Sequence, residues 1–165
     1  VARVDYLAGY PAELRAQVQG LQAQGRLLPW LQSRYPDPPQ VTNNAQLYAY
    51  AQDLKRTHMK SSPPLGKVRF CEKISTLHRA FGLHTYATRV QGRNLKRRNE
   101  VRISALFREL PPEFLRMVVV HELAHLRHRD HDRAFYRLCE HMEPDYAQLE
   151  LDLRLWCFAR QQSPP

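Results

Sequence analysis

The order of apolar and polar positions divides the chain at its prolines. "YPDPPQ", "SSPPLG" and "LPPEF" mark the cuts, because proline continues neither a helix nor a central strand. Ahead of the first cut, residues 11–33 carry helical spacing interrupted near Gly25, which predicts two short helices. From Thr42, "NNAQLYAYAQDLKRTHM" opens on asparagine and sets Leu47, Tyr50, Ala51 and Leu54 at helical spacing. That predicts a third helix with an Asn cap.

The texture changes after the second cut. "KVRF" reads as a short strand, and "KISTLHRAFG" places Ile74, Leu77 and Phe81 on one helical face with Gly82 as a stop. "HTYATRV" and "EVRISAL" are rich in β-branched residues and predict a hairpin joined by "QGRNLKRRN". In the second strand Val101 and Ile103 are expected to face the core, and Arg102 and Ser104 water.

Pro111 and Pro112 then open a helix, with Glu113 in its first turn where negative charge suits the helix dipole. Its run "FLRMVVVHELAHL" is apolar on nearly every side, which marks a buried helix. Two more helices are predicted near 132–142 and 145–158. The expected fold class is α+β. Helices occupy 1–60, a small, mostly antiparallel sheet 67–106, and a buried helix with C-terminal helices 111–158, all within one domain.

Composition adds boundaries. The 165 residues suffice for one domain with a real core, and 43% hydrophobic with 25% charged is ordinary for a globular protein. No apolar run has membrane-span length and no charged-then-apolar leader opens the sequence, so a cytoplasmic protein without membrane partners is expected. Cys71, Cys139 and Cys157 are too few and too scattered for a disulfide framework or a zinc ribbon. The net charge of +9 concentrates in "TRVQGRNLKRRNEVR". The segment Arg89–Arg102 can attract nucleic acid, or serve as a solvated connection. No recognised nucleic-acid motif accompanies it. The sequence sets no oligomeric state.

The chemistry lies in "HELAHLRHRDH", residues 121–131. His121 and His125, four apart on a helix, project from one face and can reach one tetrahedral ion. Glu122 is rotated by about 100° from the first ligand, a position suited to a water on that ion rather than to the ion itself. The H-E-x-x-H pattern thus supplies two ligands and a general base. A catalytic zinc site needs a third protein ligand and an open position. His128, His131, Glu140, His141 and Glu143 are the candidates downstream. On a regular helix His128 would lie about 10 Å along the axis from His121, too far for a compact site. His131 is favoured if the helix ends near Arg129 and the chain folds back, with Asp130 capping the next helix. Glu140 or Glu143 stays open as an acidic alternative.

The stretch "FLRMVVVHELAHLRHRDHDRAFYRLCEHMEPDY", together with "YLAGYP", "FGLHT", "RVQGRNLKRRNEVRIS" and "LDLRLW", resembles the YgjP-like family of metal-dependent hydrolases. That family is similar in turn to the SprT and WLM zinc proteases. The resemblance implies a zincin-like fold, Zn2+ held by His121, His125 and His131, and Glu122 as catalytic acid/base. The expected activity is hydrolysis of an amide bond in a peptide or protein substrate. Tyr136, Tyr146 and His128 are the nearest candidates for stabilising an oxyanion, and Asp130, Asp132 or Glu140 for orienting a ligand imidazole. A peptide could add as a strand to the sheet edge. Two other classes compete: a DNA-associated SprT-like protease, and a non-catalytic zinc-stabilised binding module.

Overall fold

The computed structural model of the chain describes residues 4–72 and 100–162. The expected helix at "KISTLHRAFG", the strand "HTYATRV" and the basic connection after it lie outside the described residues. Within the basic segment Arg89–Arg102, only its last residues are described.

The N-terminal helices form where the spacing places them. Helix α1 (Ala12–Ala23) ends in a Schellman turn: Arg26 N–H donates to the Leu21 carbonyl at 2.9 Å and Gly25 N–H to Gln22 at 3.0 Å. Gly25 sits at φ 68°, a conformation that a Cβ would oppose. Helix α2 (Leu27–Arg34) comes directly after it and buries Leu27 and Leu31. In α3 (Asn44–His58), the Asn43 side chain accepts from Gln46 N–H at 2.8 Å, and Leu47, Ala51 and Leu54 are buried. The cap is the expected one.

Strand β1 (Val68–Cys71) pairs with β2 (Val101–Ser104), Val68 opposite Val101 and Phe70 opposite Ile103. Asn44, at the start of α3, anchors β1 by accepting from Phe70 N–H at 2.8 Å. The pairing is parallel. This corrects the expected, mostly antiparallel sheet. Residues 72–100 separate the two strands, a length that a parallel crossover requires and a tight hairpin does not. Val101 and Ile103 face the core as expected, but Ser104 is also fully buried. Its hydroxyl accepts from Leu106 N–H at 3.3 Å and caps a short 3-10 turn, 105–108, so it serves the turn rather than the solvent.

Helix α4 (Pro112–Ala124) runs through the centre and touches β2, α3, α5 (Arg133–Met142) and α6 (Tyr146–Gln162). That position explains its apolar circumference: Phe114, Leu115 and every residue from Met117 to Ala124 are buried. Its one basic side chain besides His121, Arg116, reaches the end of α5, where it pairs with Glu143 and donates to the Met142 carbonyl at 3.1 Å. Asp132, rather than the expected Asp130, caps α5 by accepting from Phe135 N–H at 2.9 Å. Among the described residues, no helix is long and apolar enough to cross a membrane.

Helices α2 and α6 are joined by a buried carboxylate. Asp152 is 0% exposed. It accepts from the Tyr35 hydroxyl and from Gln148 Nε2 at 2.9 Å, and it pairs with Arg34 Nε at 3.1 Å. Truncation removes the acceptor of a buried hydroxyl, so Asp152→Ala is expected to cost about 2–3 kcal/mol in urea unfolding. A loss below about 0.5 kcal/mol, the size of an ordinary surface change, would show that the network is not holding the helices.

Candidate metal centre

The site is built where α4 stops. The expectation placed this end near Arg129; the helix ends at Ala124, with His125 as its C-cap. A tight turn continues from it, Leu126 N–H bonding to Leu123 and both Arg127 and His128 N–H to the Ala124 carbonyl. The early stop lets "RHRD" double back and return His131 to the helix it left.

Three imidazoles meet there. The Nε2 atoms of His121 and His125 are 3.2 Å apart, those of His125 and His131 3.1 Å, and those of His131 and His121 3.2 Å. The nitrogens around one tetrahedral ion at about 2.0–2.1 Å stand about 3.3–3.4 Å apart, so this triangle fits a zinc-like donor set. Among the described residues, these three form the group able to hold a metal ion. The other candidate ligands are engaged elsewhere. Glu143 is bound by Arg116 and the His141 ring lies edge-on to His58 at 5.7 Å. Glu140 is exposed on α5.

The triangle rests on Phe135. Its ring centroid lies 4.9 Å from His121, 4.5 Å from His125 and 4.9 Å from His131, so one aromatic ring supports all three. Phe135 is not among the residues that the motif itself singles out. The spacing held a signal: Phe135 is four residues after His131, in the first turn of a helix capped by Asp132.

The outer nitrogens of His125 and His121 are held too, by groups other than the expected acids. His125 Nδ1 lies 2.8 Å from the His128 carbonyl. A carbonyl only accepts, so Nδ1 carries the proton and the Nε2 lone pair points into the triangle. His128 therefore contributes its backbone. His121 Nδ1 lies 2.7 Å from the Tyr146 hydroxyl. Tyr146, at 1% exposure, thus stands behind His121, on the ring edge away from the triangle, a poor place for an oxyanion contact. Tyr136 is exposed with its ring centroid 6.4 Å from His131 and borders the site from outside. Glu122 is buried beside His121 on α4.

Burial pushes the His121 imidazole well below its ordinary range, and the neighbouring His125 and His131 push it the same way. Burial also lowers His131, against the opposing charges of Glu150 and Asp130. Both rings are therefore neutral near pH 7, the form in which imidazole binds metal. Below about pH 6.5 the unfolded chain binds protons that the folded chain resists, so acid favours unfolding. Stability of the metal-free protein should accordingly fall as pH drops from 8 to 5.5, as read by thermal unfolding. A melting temperature that rises over that interval would contradict neutral imidazoles at His121 and His131.

Comparison with known proteins agrees with this site. The family described as "YgjP-like, metallopeptidase domain" matches residues 31–155, about three quarters of the chain, including all three histidines. The chain is 47% identical over 156 residues to the "UTP pyrophosphatase" of Escherichia coli (strain K12), covering 94% of this chain and 93% of that protein. No solved structure matches significantly. Both descriptions are of hydrolases. The chain belongs to the YgjP-like family of hydrolases, and three of its histidines form a group able to hold a metal ion.

Proposed function

We propose that this protein is a Zn2+-dependent hydrolase in which His121, His125 and His131 hold the ion and Glu122 is the general base. The convergence of three Nε2 atoms beside a buried glutamate carries the reading. The H-E-x-x-H pattern on a buried helix also supports a zincin-like arrangement around it. An ion bound there would supply Lewis-acid polarisation of a reacting oxygen and a lower pKa for water. The residues do the rest. Glu122 accepts the proton of the attacking water and returns it to the leaving group. Phe135 supports the three imidazoles from one side and holds them in place.

The bond we assign is a phosphoanhydride of a nucleoside triphosphate, split by water into the monophosphate and pyrophosphate. The relative described as a UTP pyrophosphatase supports this, since it matches almost end to end. The net charge of +9 supports it as well, because positive fields concentrate polyanionic substrates. A second reading, amide hydrolysis in peptides, is favoured by the H-E-x-x-H spacing itself and by the family's description. The two readings share one catalytic apparatus and differ in substrate.

Zn2+-loaded protein should release pyrophosphate from UTP and leave unstructured peptides intact. Peptide cleavage without pyrophosphate release would instead establish the second reading. In either assay Glu122→Gln should lower kcat by about 10²–10⁴-fold with the metal still bound, the usual weight of a general base. Full turnover by that variant would remove Glu122 from the mechanism.

A further inference from the structure

The residues behind His121 point to a device that prepares the ligand before any metal arrives. Tyr146, Glu150 and Arg154 lie four residues apart along α6 and so share one face of that helix. The Tyr146 hydroxyl lies 2.7 Å from His121 Nδ1, and the Glu150 carboxylate, one turn along the same face, and the Cys139 thiol act on it electrostatically. Arg154 holds Glu150 from the far side, its guanidinium donating to the carboxylate at 3.3 Å.

Proton counting decides the direction of each bond. A tyrosine hydroxyl has one proton to give and lone pairs to receive. Glu150 faces the Arg154 guanidinium as a carboxylate, and a carboxylate can only accept. The carboxylate on the same helix face therefore draws the Tyr146 proton, which leaves the oxygen as acceptor for His121 Nδ1. The opposite arrangement, with Tyr146 donating to His121, would set an oxygen lone pair against a carboxylate in a buried place. Such a placement leaves polar groups unsatisfied where that is costly.

We propose that Tyr146 is a positioning residue of the metal centre, locking His121 through the Glu150–Arg154 pair in the tautomer that has Nδ1 protonated and Nε2 free to bind metal. Free imidazole has no such lock. His125 receives the same instruction from the His128 carbonyl. Two of the three donor lone pairs are thus aimed into the triangle by the fold itself. The inference rests on the metal-binding reading of the triad and holds for either bond the enzyme cleaves.

The test compares the full-length protein with Tyr146→Phe, Glu150→Ala and the double variant. Zn2+ affinity is measured by chelator competition, and histidine 15N shifts are recorded on the metal-free protein near pH 8. Wild type should show His121 with Nδ1 protonated. Tyr146→Phe should weaken Zn2+ binding by about 10–100-fold, the usual effect of removing a ligand's outer partner, and release His121 toward the other tautomer. Glu150→Ala should act in the same direction, and the double variant should be no worse than Tyr146→Phe, because the residues form one chain. A folded Tyr146→Phe protein with affinity within about twofold of wild type would overturn the proposal. So would a wild-type His121 protonated at Nε2. Should Tyr146→Phe not fold, Glu150→Ala and the wild-type tautomer decide. Wild type that fails to bind Zn2+ counts against the metal centre itself, while the tautomer still judges the relay.

Discussion

Three imidazole Nε2 atoms, each within 3.2 Å of the other two, are the constraint around which the neighbouring elements are arranged. Where two lone pairs face each other they repel, and at His121, the buried one of the three, little water is left to separate them. The surrounding structure is organised to impose this meeting. Helix α4 is apolar around its circumference so that it can run through the core, yet it ends on His121, Glu122 and His125. The turn after Ala124 returns the chain, Phe135 supports the three rings from one side, and α6 presses Tyr146 against the back of His121. A divalent cation is the group that relieves the opposition of lone pairs, and pre-aimed donors lose less freedom when they bind it.

The same constraint separates what the site does from what it acts on. Under the proposed reading, hydrolysis needs a polarised oxygen, an activated water and a base beside it, and the residues that would supply them, the three histidines and Glu122, lie on α4 and the turn after it. None of them reads the substrate. The family description speaks of a metallopeptidase, and the near full-length relative of a pyrophosphatase. One metal-and-glutamate apparatus is chemically suited to attack at either carbon or phosphorus, so choice of substrate must come from residues outside the triad.

The grouping of the histidines was legible in the sequence because helical spacing fixes how two histidines four apart must project, whatever surrounds them. His131 came from excluding His128 on the helical rise. The end of α4 was misplaced by five residues, from Arg129 to Ala124, because "LRHR" has no glycine or proline to announce a stop. Tertiary contact sets that boundary. Local chemistry did locate the Gly25 break and the Asn43 cap, where one side chain or one φ decides the outcome. The parallel pairing of β1 with β2 was hidden, since strand propensity carries no information about direction or partner. Phe135 reads as an ordinary core aromatic, and Tyr146 was expected near an oxyanion; only the fold places them beneath the triad and behind His121. Acids were expected to orient the imidazoles. At His125 a carbonyl stands in that place, and at His121 a hydroxyl.

X-ray absorption at the zinc edge of the stoichiometrically loaded protein decides whether the three histidines hold the ion. Three imidazole nitrogens and one further light atom are expected, all at about 2.0–2.1 Å, with the imidazole count falling by one in His131→Ala. Sulfur scattering at about 2.3 Å, or an unchanged spectrum in that variant, would contradict a three-histidine centre.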